Sequence, residues 1–199
     1  MKLLLLLTHV FPYDDGEEFL SNEIGFIKGF DRVVVCPCCL ARQSVRTRSL
    51  PEGIGCFPVI RTEIAKSAYA GLFAYPPVLR EIAGLIRTGR FSAGRVHELF
   101  YFMKNAFEIF EGLKKIPELP QAGEVLIYSY WFYDTAAAGA LLADELKKRG
   151  VRVKQISRAH GFDIYENRRK YDYLPMRKYL FSKVGQVFPC SENGTAVLK

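Results

Sequence analysis

The chain has 199 residues, 49% of them hydrophobic and 25% charged, an ordinary globular composition able to bury one substantial core. No stretch approaches the roughly 18 to 20 unbroken apolar residues of a membrane span, and an odd count of five cysteines argues against a disulfide scaffold and for a reducing compartment. The net charge of +7 and isoelectric point near 9.2 suggest an anionic partner: a nucleotide, a phosphorylated lipid, a membrane surface or nucleic acid.

The opening "MKLLLLLTHVFPYDDGEE" imitates a signal peptide, but Thr8, His9, Pro12 and the acids break it and no small-residue cleavage site follows. It reads instead as a buried parallel strand, a continuous apolar run of strand length. "EEFLSNEIGFIKGF" reads as a helix with Phe19, Ile24 and Ile27 facing inward, and "RVVVCP" as the next strand. Strand, helix, strand is the order that builds parallel sheets. Cys36, Cys38 and Cys39 at that strand's end have no C-x-x-C or H-x-x-x-H companion, so they read as thiols and not as metal ligands. Cys56 and Cys190 read as small packed hydrophobes.

An arginine-rich connection leads to the strand-like "GIGCFPVI". Residues 62–116 are then mainly helical, interrupted around "YPP" and "RTGRFSAG". In "RVHELFYFMKNAFEIFEGLKK" the aromatics Phe100, Phe107 and Phe110 suit a core, while flanking basic residues keep a membrane or acceptor surface open. "VLIYSYW" is a strand and "DTAAAGALLADELKKRG" a helix with Asp134 as N-cap and Gly150 as its stop. "VRVKQISRA" is a further strand, "LPMRKYLFSKV" a short helix, "GQVFPC" a strand, and Ser191 caps a last helix. The whole, residues 1–199, reads as a single open, doubly wound, mostly parallel α/β domain of Rossmann type.

In such sheets the ligand crevice lies beyond the carboxyl ends of the strands, where "THVFPYDDGEE" and "SRAHGFDIYE" both fall. There is no phosphate loop of the G-x-x-x-x-G-K-[ST] kind, no G-x-G-x-x-G after a strand, no G-x-S-x-G elbow and no D-x-D pair. A dehydrogenase, a P-loop kinase and an α/β-hydrolase are disfavoured accordingly. Asp14 and Asp15 suit a solvated turn. Gly16 would let backbone approach an anion at the first helix N-terminus, against which Glu17 and Glu18 act unless they bind hydroxyls. His160, at a strand end before a glycine and Asp163, is the stronger candidate, since a neutral imidazole can hydrogen-bond sugar hydroxyls or a phosphate oxygen. His9 ends the first strand and is a lesser one, and His97 lies inside the amphipathic helix. Arg158, Arg168 and Arg169 border the same edge and suit a diphosphate or a lipid phosphate, the last two equally a solvated face.

"FPYDDGEEFLSNEI", "YSYWFYDTAAAGALL", "SRAHGFDIYE" and "LPMRKYLFSKVGQVFPCSENGTAVL" together resemble the N-terminal half of bacterial GT-B glycosyltransferases of glycosyltransferase family 4, which build capsular and other surface polysaccharides. The resemblance implies an acceptor-side Rossmann-like domain facing a C-terminal, nucleotide-binding one, and sugar transfer that retains anomeric configuration. It implies a nucleotide-sugar as donor substrate, a saccharide or lipid-linked acceptor, no metal and no other cofactor. By the same resemblance His160 matches the histidine that reaches the donor sugar, Gly16 the first-loop glycine beside the diphosphate, and Asp163 a residue shaping the pocket; Arg158 and His9 join them as donor-binding candidates by position. Only Gly16 stands where the family often has paired glycines, and no pair of glutamates separated by seven residues occurs. The expectation is therefore a fragment of a longer enzyme, inactive alone, located in the cytoplasm with a peripheral contact at the inner face of the cell membrane left open. The alternative is a non-enzymatic basic binding module for nucleic acid or another anionic partner, although the basic residues form no aromatic-interleaved stripe. A small stand-alone α/β enzyme with its own complete pocket is a third reading.

Overall fold

Among the described residues six strands build one sheet: β1 (Lys2–Thr8), β2 (Arg32–Pro37), β3 (Ile54–Cys56), β4 (Glu124–Ser129), β5 (Arg152–Ala159) and β6 (Gln186–Pro189). Every pairing is parallel and the order is β3-β2-β1-β4-β5-β6, the doubly wound arrangement expected from the sequence. The computed structural model describes residues 1–61, 71–72 and 74–198. The helices are α1 (Phe19–Glu23), α2 (Pro76–Arg87), α3 (Ala93–Leu113), α4 (Asp134–Lys148), α5 (Gly161–Ile164), α6 (Arg177–Lys183) and α7 (Glu192–Leu198). Residues 62–70 and 73 of the predicted helical stretch lie outside the described residues.

The five leucines of β1 show why a central parallel strand reads as one apolar run. Leu3, Leu5 and Leu7 pack with Ile109 and Leu113 of α3 and Leu142 and Leu146 of α4, whereas Leu4 and Leu6 pack with Leu20 and Ile24 on the other face. Alternate side chains leave opposite faces of a strand, and with both faces covered neither set can be polar. The helix α4 lies close against the sheet at Gly139, where a Cβ would meet Gln155 Nε2 and Ile127 Cγ2, each at 2.9 Å. Gln155 secures that contact by donating Nε2–H to the Ala136 carbonyl at 2.7 Å.

Several local expectations need correction. The first helix is a single short turn continued by a 3₁₀ segment, Ile24–Phe26; Ile24 is buried, but Phe19 is 65% exposed because the element ends before a second inward turn forms. Asp134 is the first residue of α4 and not its N-cap, which is Tyr133; the Asp134 carboxylate instead accepts the Thr135 N–H at 2.9 Å. Gly150 does follow the helix end, at φ +80°, and Ser191 Oγ accepts the Gly194 N–H at 3.1 Å, capping α7. Phe100, Phe107 and Phe110 are partly buried against the core, as the core reading of α3 required. Cys190 is exposed and not packed as a small hydrophobe, because β6 is an edge strand.

Candidate ligand crevice at the strand ends

β1 and β4 are neighbours from which the chain winds in opposite directions, so the loops after β1, β4 and β5 part or meet at the topological switch point. The residues singled out there come from all three loops: His9, Gly16 and Glu17 from the first, Trp131 from the second, and His160 and Asp163 from the third. Two buried serines, Ser129 at the end of β4 and Ser157 two residues before the end of β5, sit opposite each other, joined by an Oγ to Oγ hydrogen bond of 2.8 Å.

Glu17 holds the first loop in place. Its side chain is drawn inward from a left-handed backbone, φ +53°, and the residue is 7% exposed. One carboxylate oxygen accepts the His9 N–H at 2.9 Å and the Trp131 indole N–H at 2.7 Å; the other accepts the N–H groups of Val10 and Phe11, each at 2.9 Å. Glu17 therefore has no acceptor site left over for a ligand hydroxyl, its four hydrogen bonds all coming from the protein. Asp14 and Asp15 do lie in a bend, half-exposed and exposed respectively, but Asp14 is not free there. Its carboxylate accepts the Ser44 hydroxyl at 2.5 Å and the Val45 N–H at 2.9 Å, and the Ser44 bond holds its carboxyl below the usual range. Arg48 completes the staple by donating to the carbonyls of Tyr13, Asp14 and Gly16.

Gly16 adopts φ +120°, which an L side chain rarely tolerates. Its N–H donates to Glu18 Oε1 at 2.8 Å, so the amide expected to face a diphosphate is engaged within its own loop. α1, at five residues, offers no helix-terminus anion site.

The third loop is built around Asp163, which is fully buried. One oxygen accepts the Phe132 N–H at 2.7 Å and the other the His160 N–H at 2.5 Å, so a single carboxylate ties the loop after β5 to the loop after β4. Burial pushes its carboxyl up to about 6 despite these bonds. Arg177 lies next to it, donating to the Asp163 carbonyl at 2.8 Å, and burial lowers that guanidinium.

Asp163 thereby fixes the backbone of His160, whose ring is only half-buried. The ring lies 4.4 Å from Trp131, centroid to centroid, and His9 stacks on the same indole at 5.0 Å with an interplanar angle of 16°. Burial, and then the Arg158 charge, lower the His160 imidazole below its ordinary value, so it is neutral at pH 7. Its Nε2 stands 3.1 Å from the Tyr130 carbonyl, an acceptor only; the neutral ring therefore carries its proton on Nε2 and leaves Nδ1 as an acceptor. Nδ1 is 3.4 Å from Cys190 Sγ. His9 Nε2 has no hydrogen-bond partner among the described residues and lies 3.9 Å from Asp134 Oδ1.

Arg158 borders this group, but its Nη1 is paired with Glu23 at 2.5 and 2.6 Å and its Nε donates to Cys190 Sγ at 3.2 Å. Arg169 is neither a phosphate ligand nor a solvated cation: it donates to Glu98 and to the Tyr133 hydroxyl and is 11% exposed. Arg168 remains exposed, over the Tyr165 ring, and His97 is exposed on α3 away from the core. Among the described residues no group of three or more His, Cys, Asp or Glu side chains is placed to hold a metal ion.

The structure thus brings His160, His9 and Glu17 around Trp131, with Asp163 tied to the backbone of His160 and Phe132, and hands Gly16 and Arg158 largely to internal partners. Sequence reading missed Glu17 as an anchor, Trp131 as the shared ring and Cys190 as the imidazole's neighbour. The signal for Trp131 was positional: a lone tryptophan just past a buried strand's carboxyl end. A cavity of about 610 Å³ lies apart from this group, lined by Arg80, Arg87, Arg90 and Lys178 together with Glu81 and Glu166.

No protein family, curated protein or solved structure matches this chain.

Proposed function

We propose that the chain is the acceptor-side domain of a retaining glycosyltransferase, which moves a sugar from a nucleotide-sugar to a glycan or a lipid-linked acceptor and uses no metal. The reading is carried by one observation: a neutral, half-buried His160 is held at the switch point by a buried carboxylate, with Nδ1 as an acceptor and an indole at its side. Such a ring can accept a hydrogen bond from a sugar hydroxyl while the indole offers apolar surface to the sugar. Its task in the complete enzyme is positioning, with charge stabilisation of the departing diphosphate left to the facing domain. His9 and Trp131 then shape the sugar side, and Asp163 and Glu17 act as positioning residues through the loops they tie.

A lipid-linked acceptor also suits the outer face of α2. Leu79 and Ile86 are 50% and 61% exposed there beside the exposed Arg80 and Arg87, an arrangement that favours the surface of an anionic membrane. Among the described residues no helix is long and apolar enough to cross a membrane, so the contact in this reading is peripheral and on the cytoplasmic side. The nucleic-acid alternative is weakened because Arg48, Arg158, Arg169 and Arg177 all spend their donors on protein acceptors.

The test is sugar transfer by the product of the full reading frame, using a panel of nucleoside diphosphate sugars. His160→Ala is expected to lower the rate about 100-fold with the fold intact by circular dichroism. An unchanged rate removes His160 from the reaction, and salt-sensitive RNA or DNA retention without any nucleotide-sugar effect favours the binding-module alternative.

A further inference from the structure

Away from the strand ends, α2 and the segment running from Glu166 into α6 enclose the cavity of about 610 Å³, a volume in the range of small-molecule sites. Its floor is apolar, since the lining residues Leu85, Tyr173 and Leu174 are buried. Its walls carry five cations, Arg80, Arg87, Arg90, Arg177 and Lys178, against two carboxylates, Glu81 and Glu166. Both carboxylates are engaged elsewhere: Glu166 pairs with Arg90 at 2.7 Å, and Glu81 accepts the Tyr173 hydroxyl at 2.7 Å. Arg177 is held by the carbonyls of Asp163 and Ile164 and lies over the Phe132 ring. That leaves Arg80, Arg87 and Lys178, which have no hydrogen-bond or ion-pair partner among the described residues. Arg80 and Arg87 stand two turns apart on one face of α2, and Lys178 joins them from the first turn of α6. The carboxyl end of α2 would disfavour an anion, but its carbonyls are occupied. Those of Gly84, Leu85 and Ile86 accept the N–H groups of Thr88, Arg90 and Gly89 respectively.

We propose that this cavity binds a phosphate-bearing ligand, a phosphomonoester or a diphosphate, either free or carried by a lipid headgroup. Three unpaired cations around one cavity repel one another, and a multiply charged anion relieves that repulsion more than a single charge does. The guanidinium groups of Arg80 and Arg87 offer paired N–H donors that match phosphate oxygens, and Lys178 adds a mobile point charge. The buried floor of Leu85, Tyr173 and Leu174 receives the apolar remainder of the ligand. Arg90 braces the walls, because besides its pair with Glu166 it donates to the Asp172 carbonyl at 2.9 Å and so ties the end of α2 to the 166–174 segment.

The site lies apart from His160 and does not rest on the sugar-transfer reading, and its test measures binding and not turnover. The purified chain is titrated with inorganic pyrophosphate at low salt and followed by amide NMR. Saturable shifts are expected at Gly84, Thr88 and Leu174, weakening as salt rises. Arg87→Gln and Lys178→Gln are each expected to weaken the fitted affinity about tenfold. Lys154→Gln, which removes an exposed cation of β5, leaves it unchanged. All three residues are exposed, and the fold of each variant is read from its amide spectrum, with Arg80→Gln replacing any variant that misfolds. Vesicles separate the two sources. Retention on phosphatidylcholine vesicles containing phosphatidic acid, competed away by pyrophosphate, assigns the lipid headgroup; pyrophosphate binding without such competition assigns the free ligand. No saturable shift, shifts centred outside the cavity, or equal weakening by Lys154→Gln and Arg87→Gln overturns the proposal, whether or not vesicles retain the chain.

Discussion

The loops after β1 and after β5 flank the switch point and are each built on one buried carboxylate, yet they leave different things exposed. The first is closed: Glu17 fills its oxygens with three backbone N–H groups and an indole, and Arg48 and Asp14 bind the rest to the 44–48 segment. The third is open: Asp163 satisfies two N–H groups and leaves an imidazole and a thiol at the surface. The lesson is that a polar, glycine-bearing loop at a strand end can be purely architectural. What makes its neighbour the better candidate is a half-buried imidazole whose backbone a buried carboxylate holds in place.

The largest effect expected to break this comparison is Glu17→Ala, which strands four donors. At about 1 to 3 kcal/mol for each buried unsatisfied group, partly relieved by entering water, the loss should be about 4 kcal/mol in urea unfolding. Asp163→Ala strands two and should cost about 3 kcal/mol, with loss of the His160 ring contacts visible by NMR.

The same carboxyl gives a pH signature. Asp163 is raised from an ordinary 3.8 to about 6 in the folded protein, so the stability it contributes is fully present below about pH 4 and is lost as pH rises through about 6. Relative to Asp163→Asn, the wild type should therefore gain up to about 3 kcal/mol between pH 6 and pH 4. His160 has the opposite sign: its folded value is depressed, so its contribution is present above 6.5 and falls away as pH drops through the lowered value. His160→Gln should flatten that acid limb in the same unfolding series.

Gly139→Ala tests the sheet beneath the crevice. The added methyl meets Gln155 and Ile127 at 2.9 Å, and overpacking should cost about 1 to 3 kcal/mol. The smallest effect is expected from Gly16→Ala, about 1 kcal/mol, arising from its φ of +120° and not from space, since the new Cβ finds only Val10 Cγ2 at 3.5 Å. Thermal melts compare the two.

How much of this was readable beforehand follows from the range of the forces involved. "KLLLLLT" and "RVVVCP" announced themselves as central strands because burial on both faces demands apolar residues at every position. Gly150 and Ser191 announced helix ends because their roles depend on immediate neighbours. Phe19 and Asp134 misled for the same reason in reverse: a short element and a one-residue shift at a helix start are decided by packing elsewhere. In the site, His160 and Asp163 were visible from their place at a strand end. The roles of Glu17, Arg48 and Cys190 were not, since their partners lie 114, 34 and 30 residues away respectively.

Sequence by itself thus determined the strand and helix alternation, the parallel sheet and the strand ends at which chemistry gathers, because those follow from local periodicity and from the cost of burying polar groups. Only the tertiary structure decided which acid became an anchor, which arginines were consumed by internal partners, and which imidazole nitrogen met a backbone carbonyl. Hydrogen bonds act over about 3 Å, and residues far apart in the chain come within that distance only once the sheet has set its order.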